Sequence, residues 1–408
     1  MRVHIVGAGS IGSLIAWNLR KAVPSDHTLP ISLLVKNSLF NRIPFHKHAK
    51  VTLQTAGADR PISRFDLEVV RGEDEGSGGS SIDIGTKKVL EDEKTFEGHR
   101  NNALSNARPY GSIQSLIVTT KAHQVPLAIQ PLLDSNRLSP SSTIVLLTNG
   151  MGIYEHLIST LFTDPATRPH FILGTTTHGA TAIGTLHFAH RGHGDLHYGV
   201  VPDPIGREHP YTSPSSSSTA VEPGKESPFY SLHHTLRTLN LLAAPLSASQ
   251  EPIHTLQLRT LRKLVVNCCV NPLTAIHSVP NGKLLDNPEW VKQMKLVCEE
   301  AGEIFLRMAE QEGNDGVVGD AEGSALAMGI RRPFSGEDLM DAVVCTIKTT
   351  KENISSMLQD TRRGNVTEID YLNGYLSRLG RVYGVETPMN DLLAEQVSIL
   401  GERPKSQT

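Results

Sequence analysis

Lys263, Asn267 and Asn271 recur at every fourth position of RKLVVNCCVNPLTAI (262–276), so on a helix one face carries an ammonium and two amides. An ammonium can hand over a proton or hold negative charge developing on an oxygen, and amides can fix the orientation of a polar ligand. Further along, Asn353 and Ser356 stand three apart in KENISSMLQD (351–360), Glu368 follows in TEIDYLNG (367–374), and Asn281 sits in the turn PNGKL (280–284). The spacing puts Asn353 and Ser356 on one helical face and lets Glu368, on the next segment, return to the same cleft. Pro272 predicts that the first of these helices ends or kinks there. Each residue also has a plainer reading. Lys263 could lay its stem along apolar surface, the asparagines could bond within a helical domain, and Ser356 could bond backward to the main chain.

Such a stripe needs a second wall, and the start of the chain offers one. RVHIV (2–6) reads as a strand, GAGSIG (7–12) as a tight loop, and SLIAWNLRKA (13–22) as a helix. Gly7, Gly9 and Gly12, with Ala8, Ser10 and Ile11 between them, form G-x-G-x-x-G in the strand–loop–helix setting that a dinucleotide site demands. Gly7 would make the turn, Gly9 would admit a pyrophosphate to the backbone, and Gly12 would let helix pack on strand. A site for NAD usually places Asp or Glu after the second strand, but ISLLVK (31–36) ends in Lys36. A cation there suits a 2′-phosphate, so NADPH is expected over NADH; the alternative is an ordinary exposed lysine. Lys121 follows the apolar run SLIVTT (115–120) and Asn149 follows TIVLLT (143–148), both at carboxyl ends where α/β sheets gather ligands. Asn149–Gly150 would also serve as a simple turn.

Strands separated by helical stretches imply parallel βαβ units. The expected fold is α/β: a Rossmann-type, parallel-sheet domain over 1–250, with FILGTTTHGATAIGTLHFAHRGHGDLHYGV (171–200) as hairpins at the sheet margin, followed by an all-helical substrate domain over 251–402. Polar, Gly- and Ser-rich stretches near 72–112 and 202–228 read as surface insertions with little fixed structure, and a glycine-rich patch interrupts the helices at 313–335. The 408 residues suit two domains. A net charge of −3 and a pI near 6.7 give no bias toward nucleic acid. No apolar run is long enough to span a membrane, and the first strand begins so early that the cytoplasm is the expected location. Four cysteines without a C-x-x-C pair read as reduced, small core residues. His178, His187, His190, His193 and His197 match no metal-binding spacing, and no metal is expected.

Taken together, GAGSIG (7–12), TTKAHQV (119–125), TNGMG (148–152), GTTTHGA (174–180), RKLVVNCCVNPLTAI (262–276), PNGKL (280–284), ENISSMLQD (352–360) and TEIDYLNG (367–374) resemble, in order, the ketopantoate reductase family. The resemblance implies a 6-phosphogluconate-dehydrogenase-like architecture and NADPH-dependent reduction of 2-dehydropantoate, a small 2-oxo acid, in pantothenate biosynthesis. It leaves a homodimer open. It makes Lys263 the proton donor and Glu368 the active-site carboxylate. Asn267, Asn271, Asn281, Asn353 and Ser356 become substrate contacts, Lys121 and Asn149 neighbours of the nicotinamide, and Lys36 the partner of the 2′-phosphate. The insertions depart from the family pattern and bear on loops and assembly. Two alternatives stay open: a reductase of another branched 2-oxo acid, and a regulatory protein that kept the fold.

Overall fold

The computed structural model describes residues 1–23, 29–40, 43, 49–55, 57–70, 86–87, 111–203, 205–206, 211, 223–314 and 334–402. The chain divides into two compact units, Met1–Thr148 with Tyr154–Ile253, and Asn149–Ile153 with His254–Thr408. A five-residue stretch after the fifth parallel strand thus belongs with the C-terminal helices.

The first unit is built on strands β1 (Val3–Val6), β2 (Ile31–Val35), β3 (Ala49–Thr55), β4 (Ala58–Val69), β5 (Thr86–Lys87), β6 (Ser115–Val118), β7 (Thr143–Leu146), β8 (His170–Thr176), β9 (Gly179–Gly184), β10 (His187–Gly192), β11 (Leu196–Val200) and β12 (Ala248–Gln250). They run in the order β12-β11-β8-β7-β6-β1-β2-β4-β3-β10-β9, with β5 on β4. From β8 to β4 the six central strands are parallel. β1, β2, β6 and β7 are buried throughout, which is why their sequences are mostly apolar, each with one buried polar residue: His4, Ser32, Ser115 and Thr143. The chain leaves β1 outward through β2 and β4, then returns to β6 on the other side. That reversal opens a crevice at the carboxyl ends of β1 and β6.

Helices α1 (Ser10–Ala22), α2 (Asn37–Phe40), α3 (Val125–Asp134), α4 (Ile153–Thr160), α5 (Tyr230–Asn240) and α6 (Ala243–Leu246) accompany the sheet. Leu14, Ile15 and Leu19 of α1 and Leu232 and Leu236 of α5 join Val3, Ile5, Leu33 and Phe188 in one apolar core. At the sheet's polar heart, buried Arg137 donates to Glu68 Oε2 at 2.8 Å, and His4 Nε2 lies 3.5 Å from Oε1. Burial alone would raise the Glu68 pKa. The hydrogen bond and charge of His4, with the charge of Arg137 and a hydrogen bond with Ser32, outweigh it and bring the carboxyl down to about 2.

Two features of this unit differ from the sequence expectation. β3 and β4 form an antiparallel pair in a stretch with no assigned strand, although β3 alternates buried and open positions. Of the hairpin strands expected at the margin, β9 and β10 do lie at one end, but β8 is interior, parallel to β7 and antiparallel to β11. The first insertion is described only at Thr86–Lys87, which pairs with β4, and at Gly111 and Ser112; most of 202–228 and 313–335 lies outside the described residues.

The second unit contains α7 (Ile253–His277), α8 (Pro288–Asn314), α9 (Gly336–Thr349), α10 (Ser356–Arg363), α11 (Asn373–Tyr383) and α12 (Pro388–Glu402), with 3-10 turns at Asn281–Asp286 and Ile369–Tyr371, and no strand among its described residues. Leu264, Val265, Cys268, Cys269 and Leu273 of α7 pack with Val297, Cys298, Ala301 and Phe305 of α8. Helix α7 does not end at Pro272 but continues to His277. Asn353 and Ser356 do not share a helical face either. Ser355 caps α10, accepting from Leu358 N at 3.1 Å, so Asn353 lies outside the helix. Three cysteines are core residues as expected; Cys345 is exposed.

Candidate active site

In the first unit the glycine loop is held by its neighbours on both sides. Gly7 has φ +99°, and a side chain there would strike Thr120 N at 2.6 Å. Thr119 Oγ1 donates to the Gly7 carbonyl at 2.8 Å, pinning the loop to the end of β6. A Cβ on Gly12 would lie 2.0 Å from the Gly7 oxygen, so only glycine lets α1 start so close to β1. Gly9 is different: nothing lies within 4 Å of where its Cβ would be. It stands at the N-terminus of α1 with no side-chain cap and no acidic residue in the first turn. The opening N–H groups of Ser10, Ile11 and Gly12 therefore face a space that a pyrophosphate would fit.

Strand register carries two lysines to the same edge. Val6 pairs with Leu34 and with Val118, so Lys36 and Lys121 each follow a strand that flanks the loop. Lys36 is exposed, and its carbonyl accepts from Leu39 and Phe40 N–H at 3.0 Å. Lys121 is half-buried at the start of the 3-10 turn Ala122–Gln124.

In the second unit α7 presents Lys263, Asn267 and Asn271 at successive turns. Lys263 Nζ donates to Asn149 Oδ1 at 3.0 Å. Burial pushes its pKa down to about 8, against the Glu368 carboxylate, which pulls it up. Glu368 is itself buried, just before the turn Ile369–Tyr371. Asn149, expected beside a nicotinamide, is thus found holding the amine. A second grouping joins Asn281 and Asn353: Asn281 N donates to the Asn353 carbonyl at 3.0 Å, and Asn281 Nδ2 to Thr350 Oγ1 at 3.0 Å. The hydroxyls of Thr274 on α7 and Ser355 are hydrogen-bonded at 2.7 Å, which brings the start of α10, with Ser356, onto the end of α7.

The asparagines of this unit divide into two sorts. Asn373 and Asn390 are fully buried and bonded to each other at 2.9 Å. The side chains of Asn267, Asn271, Asn353 and Ser356 make no hydrogen bond to any described residue, and Asn281 Oδ1 is buried without a partner among them. Native interiors satisfy their polar atoms, so the buried Asn281 Oδ1 marks a place where a polar ligand completes the set, while half-buried Asn267 and exposed Asn353 and Ser356 are open to solvent or ligand.

The histidines are spent elsewhere. His178 shares its Nε2 hydrogen with the Leu246 carbonyl at 3.0 Å and accepts at Nδ1 from Gly194 N–H and His190. His187 faces Asp59, and His197 faces Glu251. Among the described residues no group of three or more ligating side chains is set to hold a metal ion.

Comparison with known proteins gives this geometry a family. Residues 73–203 match the model described as Ketopantoate reductase PanE/ApbA, and residues 255–400 match its C-terminal counterpart. A 2-dehydropantoate 2-reductase of Shigella flexneri is 33% identical over 282 residues, 69% of this chain and 72% of its own. The chain belongs to the ketopantoate reductase family. A Schizosaccharomyces pombe relative named "Probable 2-dehydropantoate 2-reductase" is 28% identical over 390 residues, 95% of this chain and 93% of its own. Among solved structures, a D-mandelate dehydrogenase bound to NADH and anilino(oxo)acetate aligns with TM-score 0.64 at 18% identity, covering 98% of each chain. A ketopantoate reductase from Ralstonia eutropha aligns at TM-score 0.61 and 20% identity, over 98% and 99%. At that identity the structural likeness speaks for the fold alone.

For a ketopantoate reductase, sequence reasoning passed over Thr119, which bonds the Gly7 carbonyl, Ser355, which bonds Thr274 and Leu358, and Asn373, which bonds Cys268 and Asn390. Thr119 lay within the run SLIVTT, and Ser355 carried a cap signal in standing before the apolar pair Met357–Leu358. Asn373 gave no signal of its own.

Proposed function

We propose that the protein reduces 2-dehydropantoate to pantoate with NADPH. The observation that carries the reading is Lys263: a half-buried ammonium with its pKa near 8, bonded to Asn149, under the charge of the buried Glu368 carboxylate and one helical turn from the amide of Asn267. Reduction of a 2-oxo acid needs a hydride at the carbonyl carbon and a proton at its oxygen. A reduced nicotinamide bound at the glycine loop supplies the hydride. Lys263 donates to the carbonyl oxygen, stabilises the charge that grows there, and gives up its proton; a pKa near working pH suits a donor. Asn149 holds the amine at its post. Glu368 accepts from the substrate hydroxyl. Asn353 and Ser356 take the carboxylate at the start of α10, where free N–H groups favour an anion. Asn267, Asn271 and Asn281 fix the remaining polar atoms, since amides suit a neutral, orientation-sensitive pocket. Lys36 would hold the 2′-phosphate of the cofactor, and Lys121 would serve its nicotinamide half. The fold also serves a mandelate enzyme, so the substrate assignment leans on sequence likeness and on the polar set of the second unit.

The test follows the loss of reduced-nicotinamide absorbance with purified protein, a panel of 2-oxo acids and both cofactors. Lys263→Ala is expected to lower kcat for 2-dehydropantoate by about 10²–10⁴-fold. In the wild type, kcat/KM should fall as pH rises through about 8, because the donor loses its proton there. Full activity in Lys263→Ala, or a flat alkaline profile, would remove the proton donor; preference for a different 2-oxo acid would remove the substrate.

A further inference from the structure

We propose that Asn373 is a positioning residue for this reaction, tying α7 to the Glu368 segment through the main-chain carbonyl that Pro272 leaves without a helical partner. The proposal rests on the reading of Lys263 and Glu368 given above.

In an α-helix each carbonyl accepts from the N–H four residues on, and proline has none. The orphan in α7 is therefore the carbonyl of Cys268, four residues before Pro272. Cys268 is buried, so water does not take the place of the missing donor. Asn373 Nδ2 does, at 3.1 Å, from 105 residues away in the chain. Helix α7 runs on to His277 because this side chain stands in for the missing N–H.

The orientation of the amide is fixed by a relay. Glu300 on α8 accepts from Met389 and Asn390 N–H at 2.7 and 3.0 Å and from Asn390 Nδ2 at 2.7 Å. Asn390 must then present Oδ1 to Asn373, whose Nδ2 donates to it at 2.9 Å. Both hydrogens of Asn373 are thereby given to acceptors, and its Oδ1 has no partner among the described residues. Donation is what this position is built for; the carboxylate of an aspartate would set acceptor against acceptor.

The two ends of the tie bear on the reacting groups. Cys268 lies five residues beyond Lys263 on the same helix, a rise of about 7.5 Å. Asn373 lies five residues beyond Glu368, across a turn closed by Tyr371 N to Glu368 O at 3.0 Å and Leu372 N to Ile369 O at 3.1 Å. With Asn373 fully buried and its relay complete, the ammonium and the carboxylate are registered by one side chain.

The experiment uses Asn373→Ala, Pro272→Ala and the double variant in the full chain, read by Tm, by kcat and by the pH profile. Pro272→Ala returns an N–H to the Cys268 carbonyl, so it repairs the helix without restoring the tie. Asn373→Ala should lose Tm and lose kcat by about tenfold or more. In the double variant Tm should recover while kcat stays low and the alkaline limb moves to lower pH, since the carboxylate that supports the ammonium is the group released. Recovery of kcat to within about twofold of Pro272→Ala alone would overturn the proposal, leaving Asn373 a helix repair. So would a limb that stays in place or moves upward. If Asn373→Ala does not fold, comparing the double variant with Pro272→Ala decides the same question. Lys263→Ala separates the two readings: should it keep full activity, the chemistry is wrong whatever Asn373 does.

Discussion

Lys36 is an exposed cation one residue beyond a strand with no exposed position, and that strand pairs with the one leading into the glycine loop. That placement makes its charge a matter of ligand choice rather than of folding. Lys36→Glu should leave Tm unchanged and lower the ratio of kcat/KM for NADPH over NADH by about 10–100-fold, the worth of a charge-assisted hydrogen bond. An unchanged ratio would place the 2′-phosphate elsewhere. At this scale the sequence was informative where function follows from residue type and local spacing. The i, i+4 stripe of Lys263, Asn267 and Asn271 is helical as expected. It was silent where the partner is distant: nothing near Asn149 announces a bond to Lys263, 114 residues away.

At the level of elements, the three loop glycines separate space required by the fold from space required by a ligand. Gly12→Ala forces a Cβ against the Gly7 carbonyl and should destabilise the first unit by several kcal/mol, roughly 2–4, or prevent folding. Gly9→Ala meets no protein atom and should hold stability within about 0.5 kcal/mol of wild type while raising KM for the dinucleotide about tenfold or more. Urea unfolding and cofactor titration on the two variants check this; a Gly9→Ala protein that binds dinucleotide normally would place the pyrophosphate off the loop. Four of the six parallel strands, β1, β2, β6 and β7, were legible because burial on both faces leaves a largely apolar run, whereas β4 had no assigned strand and β8 read as part of a marginal hairpin. The course of α7 was hidden: Pro272 removes an N–H and crowds the Cys268 carbonyl, yet the helix runs on to His277 with that carbonyl bonded by Asn373 of α11. So was the start of α10: Ser355 and Ser356 offer two adjacent caps, and only the hydroxyl contact with Thr274 selects the first.

On the scale of the whole molecule, each unit has its own apolar core, and the first also encloses a charge cluster. Glu68 is held near pKa 2 against 4.5 for the free side chain, so it adds stability above about pH 4.5 and gives it up as pH falls toward 2. Glu68→Gln should cost roughly 3 kcal/mol at pH 7, with the difference from wild type shrinking through that acid window. Urea denaturation at a series of pH values measures it, and equal stabilities at pH 7 would show that the cluster contributes nothing net.

The division of the chain between its two units also has a genetic side. Asn149–Ile153 belongs with residues beyond 254, where Asn149 meets Lys263 and Met151 N–H donates to the Tyr371 carbonyl at 3.0 Å. A recombinant joined at a single crossover near residue 253 would inherit the lysine from one parent and the amide that steadies it from the other. Where two parents differ in these residues, functional hybrids should therefore require two exchanges, the long C-terminal block and a pentapeptide lying about a hundred residues upstream of it.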